Sequence, residues 1–267
     1  MALLSADPAF AAYEAMAEHY DEFTAGYEHD RWLGTLEALA REHGLRGRRV
    51  LDVACGTGKS FAPLVALGYR VTACDLSPAM VRRATRRAAG HAEVLVADMR
   101  ALPQLGEFDL VTCLDDALNY LLTQKQLVDA LRGMARQLSP DGVLLFDLNT
   151  IAAYRTTFVA RHVQTTGDWT FRWTGDGRDD LAPGSLTEAT VEVSSRRSGE
   201  RSISRHVQRH HPPAQVRRAL AAAGLVALHV YGQLPGVRLE VRPDERRHSK
   251  LVWLTTHACR ARGPSRG

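Results

Sequence analysis

Val50-Leu51-Asp52-Val53-Ala54-Cys55-Gly56-Thr57-Gly58-Lys59-Ser60 is an apolar run that ends in a two-glycine turn, with a helix-forming stretch from about Lys59. Asp52 interrupts the run near its end. Glycines at 56 and 58 tolerate positive φ and let a ligand reach the main chain without a Cβ in the way. The amides opening the next helix would face the same spot, backed by the positive end of its dipole. Such a turn reads as a nucleotide site. A Walker A loop would need its first glycine where Val53 stands, so Gly58-Lys59-Ser60 supplies only the tail. A dinucleotide fingerprint would need its third glycine at Phe61.

The chain downstream repeats one pattern. Arg70–Asp75 (RVTACD) reads as a second short strand ending in an acid, suited to accept two hydrogen bonds from a ribose. Ala92–Asp98 (AEVLVAD) is a third strand ending in an acid, and Phe108–Leu114 (FDLVTCL) a fourth. Between them lie helical stretches: 59–67 closed by Gly68, one opened by Ser77-Pro78, and 124–138. The turn Ser139–Gly142 then feeds a fifth strand, Val143–Leu148. This alternation implies parallel strands joined by right-handed crossovers.

Ahead of the first strand, residues 8–45 carry apolar side chains at helical spacing (Tyr13, Met16, Tyr20, Phe23, then Trp32, Leu33, Leu36, Leu39). The aromatic stretches HYDEF (19–23) and HDRW (29–32) favour a lid over simple packing. Between 161 and 210 the rhythm changes. Trp169–Thr174, Leu186–Ser195 and Ser202–Arg209 alternate apolar and polar residues between glycine turns, as an antiparallel insertion lying on or extending the sheet. The α/β order resumes with a helix at Pro213–Ala223 and strands at Leu225–Tyr231 and Leu251–His257, and Arg260–Gly267 reads as a disordered tail.

Composition narrows the class. At 267 residues, 45% hydrophobic and 24% charged, the chain suits one large domain with an insertion. No apolar run approaches membrane-spanning length, and the N-terminus has no basic segment of a secretory signal. Cys55, Cys74, Cys113 and Cys259 stand far apart with no C-x-x-C pair, which points to buried thiols in a reducing cytoplasm. The net charge of +4 comes from 31 arginines and three lysines, a skew typical of base composition. Arg82, Arg83, Arg86 and Arg87 form one solvated helix side.

In order and spacing, LDVACGTGKS, VTACDLSPAM, VADMR, CLDDALNYL and VLLFDLN resemble the small-molecule class I S-adenosylmethionine-dependent methyltransferases over roughly residues 10–258. The flavour is that of glycine N-methyltransferase-like enzymes and of aminosugar N,N-dimethyltransferases from antibiotic pathways. The turn departs from that family's E/D-x-G-x-G-x-G in carrying Ala54 at the first glycine. The resemblance implies an α/β, doubly wound, seven-stranded and mostly parallel sheet of order 3-2-1-4-5-7-6, its last strand antiparallel. It divides the chain into an N-terminal helical lid (1–47), a core (48–150 and 211–259) and an antiparallel β insertion on the substrate side (151–210). It implies S-adenosyl-L-methionine as cofactor, with Cys55, Gly56 and Gly58 against its methionine and ribose. Asp75 would take the ribose hydroxyls, Leu76 the adenine face, Asp98 and Met99 the adenine edge, and Leu114 the methionine amine. Tyr20 and Trp32 would reach the site from the lid.

Methyl transfer from a sulfonium is an in-line displacement in which a protein supplies alignment, desolvation and sometimes a base. Tyr20, His206 and His210 are the catalytic candidates, with His211 beside them. Three histidines so close resemble a metal site, but Pro212-Pro213 follow directly and no companion acid pattern is present. A metal-dependent catechol-type site would use an acid after strand four and an adjacent Asp-Asn pair after strand five. Asp115 and Asp116 supply the first, whereas Asp147-Leu148-Asn149 splits the second, so no metal is expected. Enzymes that methylate base amines carry Asn/Asp-Pro-Pro-Tyr after strand four, where this chain has Leu114-Asp115-Asp116-Ala117. The expected acceptor is therefore a small molecule methylated on N or O, with no membrane or nucleic-acid partner and a homodimer as candidate assembly. An RNA methyltransferase and a catalytically silent cofactor-binding protein remain the alternatives.

Overall fold

At the centre of the main sheet lies β1 (Arg49–Val53), flanked in parallel by β2 (Arg70–Asp75) and β4 (Phe108–Cys113). The structure, a computed structural model, describes residues 7–261. β3 (Ala92–Val96) pairs with β2, and β5 (Leu138–Asn149) with β4, both in parallel. After β5 the chain leaves this sheet to build a separate four-stranded antiparallel one. Its strands are β6 (Arg161–Thr166), β7 (Trp169–Gly175), β8 (Leu186–Ser195) and β9 (Arg201–Arg209). It then returns as β10 (Leu225–Leu234), β11 (Arg238–Glu240) and β12 (Lys250–His257). The full order is β3-β2-β1-β4-β5-β12-β10-β11, with β12 antiparallel to β5. This is the expected topology with an eighth strand, β11, at the edge.

The insertion does not extend the main sheet, and it holds one strand more than its alternation predicts. β6 is almost wholly exposed, so its sequence RHVQTT has no buried side to betray it. The inner face of this second sheet is covered by α1 (Pro8–Met16), whose Met16 joins Phe171 of β7 and Val191 and Val193 of β8 in a small core. A short α2 (Tyr20–Phe23) and α3 (His29–Glu42) follow. α3 is not roof: Trp32, Leu33, Leu36 and Ala40 are buried under the main sheet.

Alternation along β1 explains the two layers, because successive side chains point to opposite faces. Val50 joins the core formed by α3, α4 (Ala62–Ala66) and α5 (Pro78–Ala88). Leu51 and Val53 join the other, formed by α6 (Gln124–Ala135) and α8 (Pro213–Ala222). α6 begins where the sequence promises, in a Thr123–Gln126 capping box. α4 begins later than expected, at Ala62, so residues 54–61 are turn. A brief α7 (Ile151–Thr156) follows β5, and α9 (Ala258–Ala261) carries helix into the expected tail. Residues 262–267 of that tail lie outside the described residues. Among the described residues no helix is long and apolar enough to cross a membrane.

Candidate active site

The turn after β1 is held in left-handed backbone: Ala54 has φ +60° and Gly56 φ +54°. An alanine there costs on the order of 1 kcal/mol, and strain of this kind gathers at functional sites. Gly56 opens onto a cleft, where a Cβ would meet only the Tyr20 ring at 3.7 Å. Gly58 is placed differently. At φ +87° its backbone favours glycine, its missing side chain is filled by Phe61, whose ring would lie 2.6 Å from a Cβ, and it does not line the cleft.

Asp75, at the end of β2, closes the turn. One carboxylate oxygen accepts from the Gly56 N–H and the other from the Ser77 N–H, both at 2.9 Å. Burial pushes its carboxyl up to about 6, against these amides, which pull it down. The cleft runs past it in two chambers of about 50 and 60 Å³. Cys55, Gly56 and Leu114 line the first, Leu76, Asp98 and Met99 the second, and Asp75 both. Asp98 is engaged by Arg100, which also pairs with Asp7.

Beneath the cleft, Asp52 is buried and accepts from Ser60 and, at 2.7 Å, from Thr112. Burial raises its carboxyl to about 7 despite those bonds. The folded carboxyl therefore keeps its proton from about pH 4 to about 7 while the unfolded one loses it, so stability falls as pH rises through that window. At about 1.4 kcal/mol per pKa step, Asp52→Asn should gain on wild type by about 2–3 kcal/mol between pH 5 and pH 8. Urea unfolding of both proteins at the two values measures this, and an unchanged difference refutes it.

The segment over the cleft is latched by the turn itself. Lys59 Nζ donates to the Asp21 carbonyl and the Thr24 hydroxyl, both at 2.9 Å, at the C-terminal end of α2. The Asp21 carboxylate accepts from Thr57 at 2.6 Å and Arg87 at 2.7 Å. The lysine of the Walker-like tail thus holds protein, where a P-loop would hold phosphate. Lys59→Met should speed ligand escape from the cleft about tenfold, the worth of one or two such bonds. Stopped-flow dissociation reads it, and an unaltered rate would show the latch to be inert.

Beyond Tyr20 the cleft meets a chamber of about 550 Å³. Tyr13, Tyr20, His29 and Asp115 line both spaces. His206 faces this chamber and shares hydrogen bonds of 2.9 Å with Tyr120 through Nδ1 and with Ser204 through Nε2. Burial lowers its imidazole to about 4, so it is neutral. His210 does not join it. Past the end of β9 it accepts from the Gly184 N–H and faces Glu245 in a separate small cavity, which removes it as a base for this chamber. His211 is likewise turned away, onto the Leu121 carbonyl. Trp32 is buried in the main core with an edge on the large chamber, not on the cleft.

The acids weighed for a metal are held by protein. Asp147 is fully buried and accepts the N–H groups of Asp115 and Asp116, at 3.0 and 2.6 Å. Both donors lie in left-handed backbone, φ +56° and +54°. Lys250 places its ammonium 2.8 Å from Asp116 and 3.3 Å from Asp147. His29 Nε2 stands 3.3 Å from Asp115. Sequence reasoning missed His29, Tyr120 and Lys250. The survival of a lysine at 250 in a chain so given to arginine was the available signal.

Residues 50–142 match a family model described as a methyltransferase domain. The chain is 36% identical over 141 residues to the putative methyltransferase YqeM of Bacillus subtilis (strain 168), over 52% of this chain. It thus spans little more than half, 56%, of that relative's length. It is 30% identical over 249 residues to the dTDP-3-amino-3,6-dideoxy-alpha-D-glucopyranose N,N-dimethyltransferase of Streptomyces fradiae, covering 85% of this chain and 93% of that one. Among solved structures, an S-adenosylmethionine-dependent methyltransferase from Clostridium acetobutylicum ATCC 824 shares the fold. Its TM-score is 0.77 at 21% identity, over 92% of this chain and 98% of that one.

Proposed function

Since the chain belongs to the S-adenosylmethionine-dependent methyltransferases, we propose that it methylates an amine nitrogen of a small molecule. One observation carries the reading: the cleft beside Asp75 opens, between Tyr20 and Asp115, into a chamber large enough for a second ligand. The cleft suits the donor because Gly56 leaves room at the main chain and a buried carboxylate keeps lone pairs free beside it. Asp75 would hold its ribose, Cys55, Gly56 and Leu114 its methionine portion, and Leu76, Asp98 and Met99 its adenine. Bound there, S-adenosylmethionine supplies an activated methyl group.

The chain's own residues do the rest by position. Tyr13 and Tyr20 sit where the two spaces meet and exclude water from the transfer point. Tyr120, backed by neutral His206, offers a hydroxyl to the nucleophile. Burial pushes the Tyr20 and Tyr120 hydroxyls well up, so both stay protonated and act as hydrogen-bond partners rather than phenolates. A neutral amine attacks without a strong base, which fits a site with no ionised one at Tyr120.

Incubation with methyl-labelled donor and a panel of amines, alcohols and oligonucleotides tests the reading by mass spectrometry. Methyl groups on amine nitrogen are expected, with turnover indifferent to EDTA. Label confined to oxygen, carbon or RNA, or loss of activity restored by magnesium, would overturn it.

A further inference from the structure

We infer that the acceptor enters as an ammonium ion, which gives its proton to solvent before its nitrogen attacks, and carries no phosphate or carboxylate, so that it is a free organic amine with an apolar or aromatic body. The inference rests on the methyltransferase reading and narrows it.

The charge of the chamber is the first argument. The chain bears 31 arginines and a net charge of +4, yet among the described residues no arginine lines this space. Lys250 is its one lysine, and its ammonium is spent on Asp116 and Asp147. Asp116 is itself filled, by Lys250 and by Gln208 at 2.7 Å. A diphosphate needs forked, charged donors, which arginine supplies best. Here it would meet carboxylates and, among the described residues, no guanidinium, with only the imidazole of His162 at the exposed rim, and a charge drawn inward without a partner is strongly penalised.

The second argument is what remains open. Asp115 is the carboxylate shared by cleft and chamber. His29 faces its Oδ2, while Oδ1 accepts from no group among the described residues. Burial pushes this carboxyl up, but the His29 contact and the Lys250 charge outweigh it and hold it below its usual range. An anion therefore faces the transfer point with an oxygen to spare. Elsewhere the chamber is lined by Tyr13, Tyr20, Phe23, Tyr27, Phe158 and Trp173, walls that suit an apolar body and attract a cation over their faces. The Streptomyces fradiae relative is named for a nucleotide-linked aminosugar, which makes the contrast testable.

Protein loaded with S-adenosylhomocysteine is titrated by calorimetry with phenethylamine, tyramine and cyclohexylamine, and separately with dTDP, tyrosine and 2-phenylethanol. At least one amine should bind, 2-phenylethanol at least tenfold more weakly than phenethylamine, and dTDP and tyrosine not at all. Asp115→Asn should weaken the amine at least tenfold, since asparagine keeps the left-handed turn and loses the charge. Binding of dTDP more tightly than every amine, binding of no amine, or equal affinity for phenethylamine and 2-phenylethanol would each overturn the inference. The loading step separates the two readings. Failure to bind S-adenosylhomocysteine breaks the methyltransferase assignment, whereas loading without amine binding breaks only this one.

Discussion

Asp75→Ala is expected to weaken S-adenosylmethionine binding by about 2–3 kcal/mol, roughly thirty- to 150-fold, the worth of hydrogen bonds to a charged acceptor. The side chain has two tasks. It pins Gly56 and Ser77 through their amides, and it keeps lone pairs for two ribose hydroxyls. Alanine removes both at once. Asp75→Asn retains one acceptor oxygen and should fall between the two. Because burial holds this carboxyl at about 6, wild-type affinity should also decline as pH drops below that value, when the group gains a proton. Calorimetry at pH 5 and 8 measures all three effects. An alanine variant that binds as tightly as wild type would remove Asp75 from the ribose.

Asp147→Asn should destabilise the fold by about 3 kcal/mol, the lower end for breaking a buried ion pair. The carboxylate accepts two amides from consecutive left-handed residues and one ammonium. Asparagine has one acceptor oxygen, so at least one of those donors loses its partner in a fully buried place. The strained Asp115-Asp116 turn, worth a few kcal/mol of backbone energy, would then relax. Urea unfolding reads the loss, and near-equal midpoints would mean the turn holds itself.

Much of the core was legible because its signals are local. VLDVACGTGKS, RVTACD and AEVLVAD are short apolar runs ending in turn or acid, and a parallel sheet covered on both faces writes itself that way. Strand order came with the resemblance and stands in the pairing. The acceptor side was less legible, because it is assembled from residues far apart in the chain. Asp115, His29 and Lys250 meet only after the sheet forms. His206 and His210 looked equivalent, yet one lies within β9 and the other past its end, where strand alternation no longer fixes its direction. Gly58 lies off the cleft wall because its neighbour Phe61 folds back over it, and spacing alone does not show that.

The scarcity of lysine makes the molecule unusually simple toward acylating reagents. Of its three lysine amines, Lys125 stands 86% exposed, while Lys250 is 19% exposed and committed to carboxylates. Lys59 is half-buried against the segment it latches, and its ammonium is held in hydrogen bonds to the Asp21 carbonyl and the Thr24 hydroxyl. An active-ester dye would accordingly mark Lys125 at once and Lys59 only in the moments when the roof lifts. The ratio of the two adducts is then a clock for opening, readable by peptide mass mapping without any engineered tag.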